Sequence, residues 1–202
     1  MEFAATPPLA GTLATLEQLA VDHVGGLQAA VRDGELWKTW YTSVPEPDAV
    51  ASDVQRRLQL QADGRLAPWT IRRADTGAIC GVTTFLNLEP EHRRLEIGST
   101  WLAASAQGTG VNADAKRLLL THAFESLRCI AVEFRTHWHN QQSRAAIARL
   151  GAKQDAVLRN HRILPDGSLR DTVVFSILDT EWPAVRRGLE HRIANHARPV
   201  AG

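Results

Sequence analysis

Cysteine is scarce. Of 202 residues only Cys80 and Cys129 are cysteines, and both lie inside apolar runs, GAICGVTTF and LRCIAVEF. That pattern excludes a disulfide framework and a cysteine metal pair, and it predicts buried free thiols. A surplus of charge is also missing, because 23 basic and 22 acidic residues leave a formal +1. The chain therefore has no extended footprint for nucleic acid or an anionic membrane, and any anion site must be local. No apolar run approaches the roughly 18 residues that a bilayer span needs. The N-terminal MEFAATPPLAGTLATL lacks a basic region followed by an apolar one. A cytoplasmic protein is expected. Internal repeats and low-complexity segments are absent as well.

What is present is an ordinary globular composition, 44% hydrophobic and 22% charged, which fits one domain with a full core. Residues 1–11, with Pro7, Pro8 and Gly11, read as a flexible leader; residues 12–197 read as the domain, and 198–202 as a tail. TLATLEQL is the first ordered segment. Val21, Val24, Leu27 and Val31 recur at helical spacing, and a second helix runs from Pro47 to Leu60 after LWKTWYTSVPEP. The β-branched runs APWTIRRA, ICGVTTFLNL and RLEIGSTWL then predict three antiparallel strands. Gly108 to Leu127 has the period of a long helix with one wet face. IAVEFRTHW reads as a strand, NQQSRAAIARLGA as a helix closed by Gly151, and VLRNHRIL with DTVVFSIL as a hairpin around Pro165-Asp166-Gly167. DTEWPAVRRGLEHRI reads as the last helix. The expected fold class is α/β, or α+β, with a mixed sheet and one central crossover.

The segment Gln107-Gly108-Thr109-Gly110-Val111-Asn112 lies between a strand and the long helix. The first-turn amides of that helix have no intrahelical partners and can cradle a pyrophosphate. Gly108 and Gly110 allow close backbone approach, and the helix dipole adds roughly 0.3–1 kcal/mol per anionic group. Tight turning explains a Gly-x-Gly equally well. The loop lacks both the Gly-Lys-Ser/Thr ending of a P-loop and the three-glycine dinucleotide fingerprint.

Gln107-x-x-Gly110-x-Asn112 resembles the Gln/Arg-x-x-Gly-x-Gly/Ala pattern of the GNAT acetyltransferase superfamily, and the resemblance covers nearly the whole chain. Arg94-Leu-Glu-Ile-Gly98, Thr109-Gly-Val-Asn112 with Ala115-Lys116, Asn140-x-x-Ser143, Leu150-Gly-Ala-Lys153 and Pro165-Asp-Gly167 with Arg170-Asp171 resemble its branch of ribosomal-protein N-terminal (alanine/serine) acetyltransferases. The resemblance implies a central, mostly antiparallel sheet of about seven strands, flanked by helices, with the fourth and fifth strands splayed. It implies acetyl-CoA as acyl donor, its phosphates on Gln107, Gly108, Thr109, Gly110, Val111 and Asn112 and its pantetheine near Trp101, Leu102 and Asn140. It also implies that the Ser143 hydroxyl reaches the sulfur and protonates the departing thiolate. Asn112 departs from the pattern, and either caps the helix or touches coenzyme A.

Aminolysis of a thioester needs a free amine and a route for its proton. Glu96 alternates with Leu95 and Ile97, so it faces away from them and suits a general base acting through water; an arginine-paired strand carboxylate is the plainer reading. Asn140 is a natural N-cap with Ser143 in the first turn. His137, with Trp138 and His139, suits a base or relay at the acceptor end, or is a plain surface histidine. Trp37, Trp40 and Tyr41 either wall the acceptor pocket or pack a helix end onto the core. Lys116 or Arg117 could meet a coenzyme phosphate. The sequence offers no cysteine partner near His137 and His139, so no metal is expected. The acceptor is then a primary amine, of a protein N-terminus or a small molecule, attacked directly in a ternary complex. A coenzyme-A-binding regulator without turnover, a different acyl group, and a homodimer stay open.

Overall fold

A computed structural model describes residues 2–197, so the tail expected at 198–202 lies outside the described residues. Strands β1 (Leu9–Ala10) and β2 (Ala14–Gln18) precede helices α1 (Val24–Arg32) and α2 (Val50–Ala62). The meander β3 (Ala67–Arg73), β4 (Ile79–Glu89) and β5 (Arg94–Leu102) follows. Helix α3 (Val111–Thr121), β6 (Ala131–His137), α4 (Gln141–Ala148), β7 (Lys153–Ile163), β8 (Leu169–Leu178) and α5 (Trp182–Ala197) complete the chain.

One sheet of eight strands runs β1-β2-β3-β4-β5-β6-β8-β7. Its neighbours pair antiparallel except β5 and β6, which are parallel because α3 carries the chain across between them. This is the expected mixed α/β architecture, with β1 added in front; β5 and β6 are therefore the strands expected to splay. They pair only from Arg94 to Glu96 against Ala131 to Glu133. Beyond that point residues 97–102 and 134–137 have no partner across the gap.

The core forms because both faces of the middle strands are covered. Trp69 of β3 and Phe85 of β4, both fully buried, meet edge to face at 4.8 Å, with the His122 ring stacked on Phe85. Val111, Ala115, Leu118 and Leu119 bury one stripe of α3. The expected long helix is shorter, for after Thr121 the chain makes a π-turn over His122–Ser126.

The stretch expected as a mobile leader is packed instead. Phe3, Ala4 and Thr6 are buried. Gln61 Nε2 donates to Ala4 O and to Thr6 Oγ1, and Trp69 Nε1 donates to Pro7 O. The buried Trp69 donor thus needs this backbone for satisfaction, and the half-buried Gln61 adds a second tie, which holds the segment without periodicity of its own.

Candidate active site

The loop 107–110 leads into α3 through two left-handed glycines, Gly108 at φ 73° and Gly110 at φ 88°. They serve different ends. A Cβ on Gly108 would meet nothing within 4 Å, whereas one on Gly110 would lie 2.6 Å from Leu13 Cδ1 and 2.9 Å from His196 Cβ. Gly110 is the N-cap and offers no side chain, so the amides of Val111, Asn112 and Ala113 stay free while Asp114 N–H donates to Gly110 O. Thr109 Oγ1 holds the loop by donating to Ala106 O at 2.7 Å.

Asn112 does not cap α3, and its buried Oδ1 has no partner among the described residues. Lys116 and Arg117 are not available to a phosphate. The Lys116 ammonium lies in the core and donates to Thr83 Oγ1 at 3.1 Å and Thr100 Oγ1 at 2.6 Å. Burial draws its pKa down to about 7. Arg117 is held by the buried Asp114, whose other oxygen accepts from Leu13 and Ala14 N–H at 2.7 and 3.1 Å. Spacing carried the Lys116 signal, since Ala113 and Leu120 share its buried stripe.

The gap between β5 and β6 opens beside this loop. Ser99, at φ 46°, forms a bulge in β5, where the register steps from Val82 opposite Trp101 to Thr84 opposite Gly98. From Ile97 onward the β6-facing edge of β5 has no strand partner. Trp101 and Leu102 end this edge, and the buried Trp101 Nε1 has no partner among the described residues. Gln107 Nε2 donates to Leu102 O, and Gln142 Nε2 donates to Gln107 Oε1, each at 3.0 Å. The loop, the strand end and the start of α4 are thereby tied together. Asn140 is the N-cap of α4 and accepts from Ser143 N–H at 2.9 Å. An open loop, free amides, an unpaired strand edge and an orphaned indole N–H fit an extended pyrophosphate-bearing ligand such as coenzyme A.

Glu96 is 7% exposed and stands where the two strands part. Asn87 Nδ2 donates to its Oε2 at 2.7 Å, and Arg135 Nε lies 3.6 Å from the same oxygen. Burial raises its pKa above the ordinary value, against the opposing pull of Arg135, the Asn87 bond and Arg162. Glu133, Arg135 and His137 continue this polar face along β6, while Val132 and Phe134 turn into the core.

At the far end of that face, Trp40, 61% exposed, meets His137 at 5.2 Å, Tyr41 at 5.3 Å and His139 at 5.7 Å between ring centroids. Trp37 does not join them; it packs against the core. Trp138 turns outward beneath the Arg144 guanidinium, 4.2 Å from the ring. His137 is 3% exposed, and its Nδ1 accepts from His139 N–H at 3.1 Å. Nδ1 therefore carries the lone pair and Nε2 the hydrogen. Burial, then Arg170 and His139, lowers the pKa of this imidazole. His137 is a neutral donor whose buried Nε2, without a partner among the described residues, presents an N–H. It lacks the free lone pair that a base would need. Sequence reasoning missed Asn87 and Arg135 as neighbours of Glu96, although the register of β5 with β4 and β6 brings them there.

The description "Acetyltransferase (GNAT) domain" matches residues 14–153. A Bacillus subtilis (strain 168) protein, YdaF, which carries a provisional ribosomal N-acetyltransferase name, is 34% identical over 52% of this chain; the match spans 57% of its own length. The ribosomal-protein-serine acetyltransferase of Escherichia coli (strain K12) is 26% identical over 82% of this chain and 93% of its own. A GCN5-related N-acetyltransferase structure from Brucella melitensis superposes with a TM-score of 0.86 at 26% identity, covering 98% of this chain and 90% of that one.

Proposed function

The chain belongs to the GNAT family of acetyl-CoA-dependent N-acetyltransferases, and from that premise we propose that it acetylates the α-amine of a protein N-terminus by direct attack in a ternary complex. The observation that carries the proposal is the splayed gap. It runs from the free amides at the start of α3, along the unpaired edge of β5, to Glu96 and the Trp40 cluster. The relatives named for ribosomal-protein acetylation support a protein acceptor. Among the described residues no helix is long and apolar enough to cross a membrane. The work proposed for it belongs to the cytosol.

The amides of residues 111–113, with Gly108 and Gln107, would hold the phosphates of acetyl-CoA, and the edge at Trp101 and Leu102 with Asn140 would hold its pantetheine. When bound, that molecule supplies the activated acetyl group as a thioester. Glu96, lifted by burial, takes the proton of the incoming ammonium through water. Trp40 and Tyr41 give the amine an aromatic wall. The Ser143 hydroxyl, which makes no hydrogen bond among the described residues, donates a proton to the departing sulfur. Thiol release with acetyl-CoA and peptides starting with serine or alanine tests this. Glu96→Gln combined with Ser143→Ala should lower kcat by roughly 10²–10⁴-fold, and unchanged turnover in that double variant would remove both assigned roles.

A further inference from the structure

Arg162 of β7 and Arg170 of β8 stand directly opposite one another in the hairpin register. Like charges so placed repel. The neighbouring arginines are neutralised: Arg94 and Arg135 pair with Glu133, and Arg159 pairs with Asp171. Among the described residues no carboxylate lies within ion-pair distance of Arg162 or Arg170. Arg170 donates one bond, Nε to Thr172 Oγ1 at 3.1 Å, which leaves the rest of its guanidinium without a protein partner. Burial and the charge of Arg162 hold Arg170 below its usual range. The half-buried Arg170 and the exposed Arg162 feel Glu96 only at longer range, and without a paired carboxylate they leave room for an anion from outside.

Their position says which anion. Arg170 and Thr172 lie on one face of β8, and Thr172 is opposite His137 on β6. The pair therefore ends the same polar face that carries Glu96, and it adjoins His137, whose buried Nε2–H has no acceptor among the described residues. Resting on the acetyl-transfer reading above, we propose that Arg162 and Arg170 clamp a carboxylate of the acceptor, with His137 Nε2–H as a further donor. The substrate is then an amine with an acidic group a few bonds from the reacting nitrogen. That carboxylate belongs either to an Asp or Glu following the N-terminal residue of a peptide or to a small amino acid.

Titration calorimetry on the full chain with coenzyme A present tests the clamp without turnover. A Ser-Glu peptide should bind about tenfold more tightly than its Ser-Gln twin. Arg162→Gln and Arg170→Gln should each erase most of that ratio, and Arg162→Glu should turn the preference toward Ser-Lys. Arg162 is exposed, so its variants keep the fold informative if Arg170 variants prove unstable. Competition by free glutamate distinguishes the small acid from the peptide as source. Equal binding of the Glu and Gln peptides, or a ratio that survives both glutamine variants, overturns the clamp. Thiol release with the same peptides separates the two readings. A binding preference with no release refutes acetyl transfer and keeps the clamp, whereas release with no preference does the reverse.

Discussion

Glu96 is buried where the two strands part, and burial dominates the causes acting on its carboxyl. A base must be deprotonated to act, so activity should rise with pH through a limb displaced above the ordinary carboxylate range. Glu96→Gln should remove that limb as well as lower kcat, as a kcat-pH profile would register. A limb that persists in the variant would assign it to another group. The orientation of Glu96 is legible in the alternation Leu95-Glu96-Ile97, and the Asn140 cap is legible in its place before α4. His137 is different. Its tautomer depends on the turn that brings His139 N–H back to Nδ1, and no spacing of residue types announces that bond. The Arg162–Arg170 opposition is similarly hidden, because the β7–β8 register shifts between Leu158 and Arg162.

At the scale of elements, the loop before α3 joins two glycines that share a left-handed backbone and little else. Gly110→Ala adds steric overlap with Leu13 and His196 to the left-handed strain of roughly 1–2 kcal/mol. Gly108→Ala carries only the strain, and its methyl enters open space. We expect Gly110→Ala to melt well below Gly108→Ala, and Gly108→Ala to raise KM for acetyl-CoA with a smaller change in Tm. Thermal melts and steady-state kinetics on the two variants check this; equal melting temperatures would contradict the packing described for Gly110. The strand-loop-helix setting was readable from glycine placement and the period of α3. The packed leader was not, because what holds it are donors on Gln61 and Trp69, more than fifty residues away.

For the molecule as a whole, Lys116 links stability to pH. Unfolded, it keeps its proton up to about 10.5; folded, only up to about 7. Between those values the unfolded chain holds more protons, so stability rises with pH there, by at most about 5 kcal/mol. Lys116→Met should stabilise the protein near neutral pH and flatten that slope in denaturant unfolding followed from pH 7 to 10. A variant that keeps the wild-type slope would assign it elsewhere. Composition and periodicity conveyed the mixed sheet with its crossover. Spacing places Lys116 on the buried stripe of Ala113 and Leu120, yet a lysine in a half-wet helix normally reads as solvent-facing.

Asp114 gives its carboxylate to the turn between β1 and β2, and a methyl on Gly11 would lie 2.4 Å from that oxygen. Two positions a hundred residues apart therefore share one small volume. Evolution is not free to vary them separately: lineages that enlarge residue 11 should also have shortened or replaced the acid at 114, so the two sites should drift as a pair.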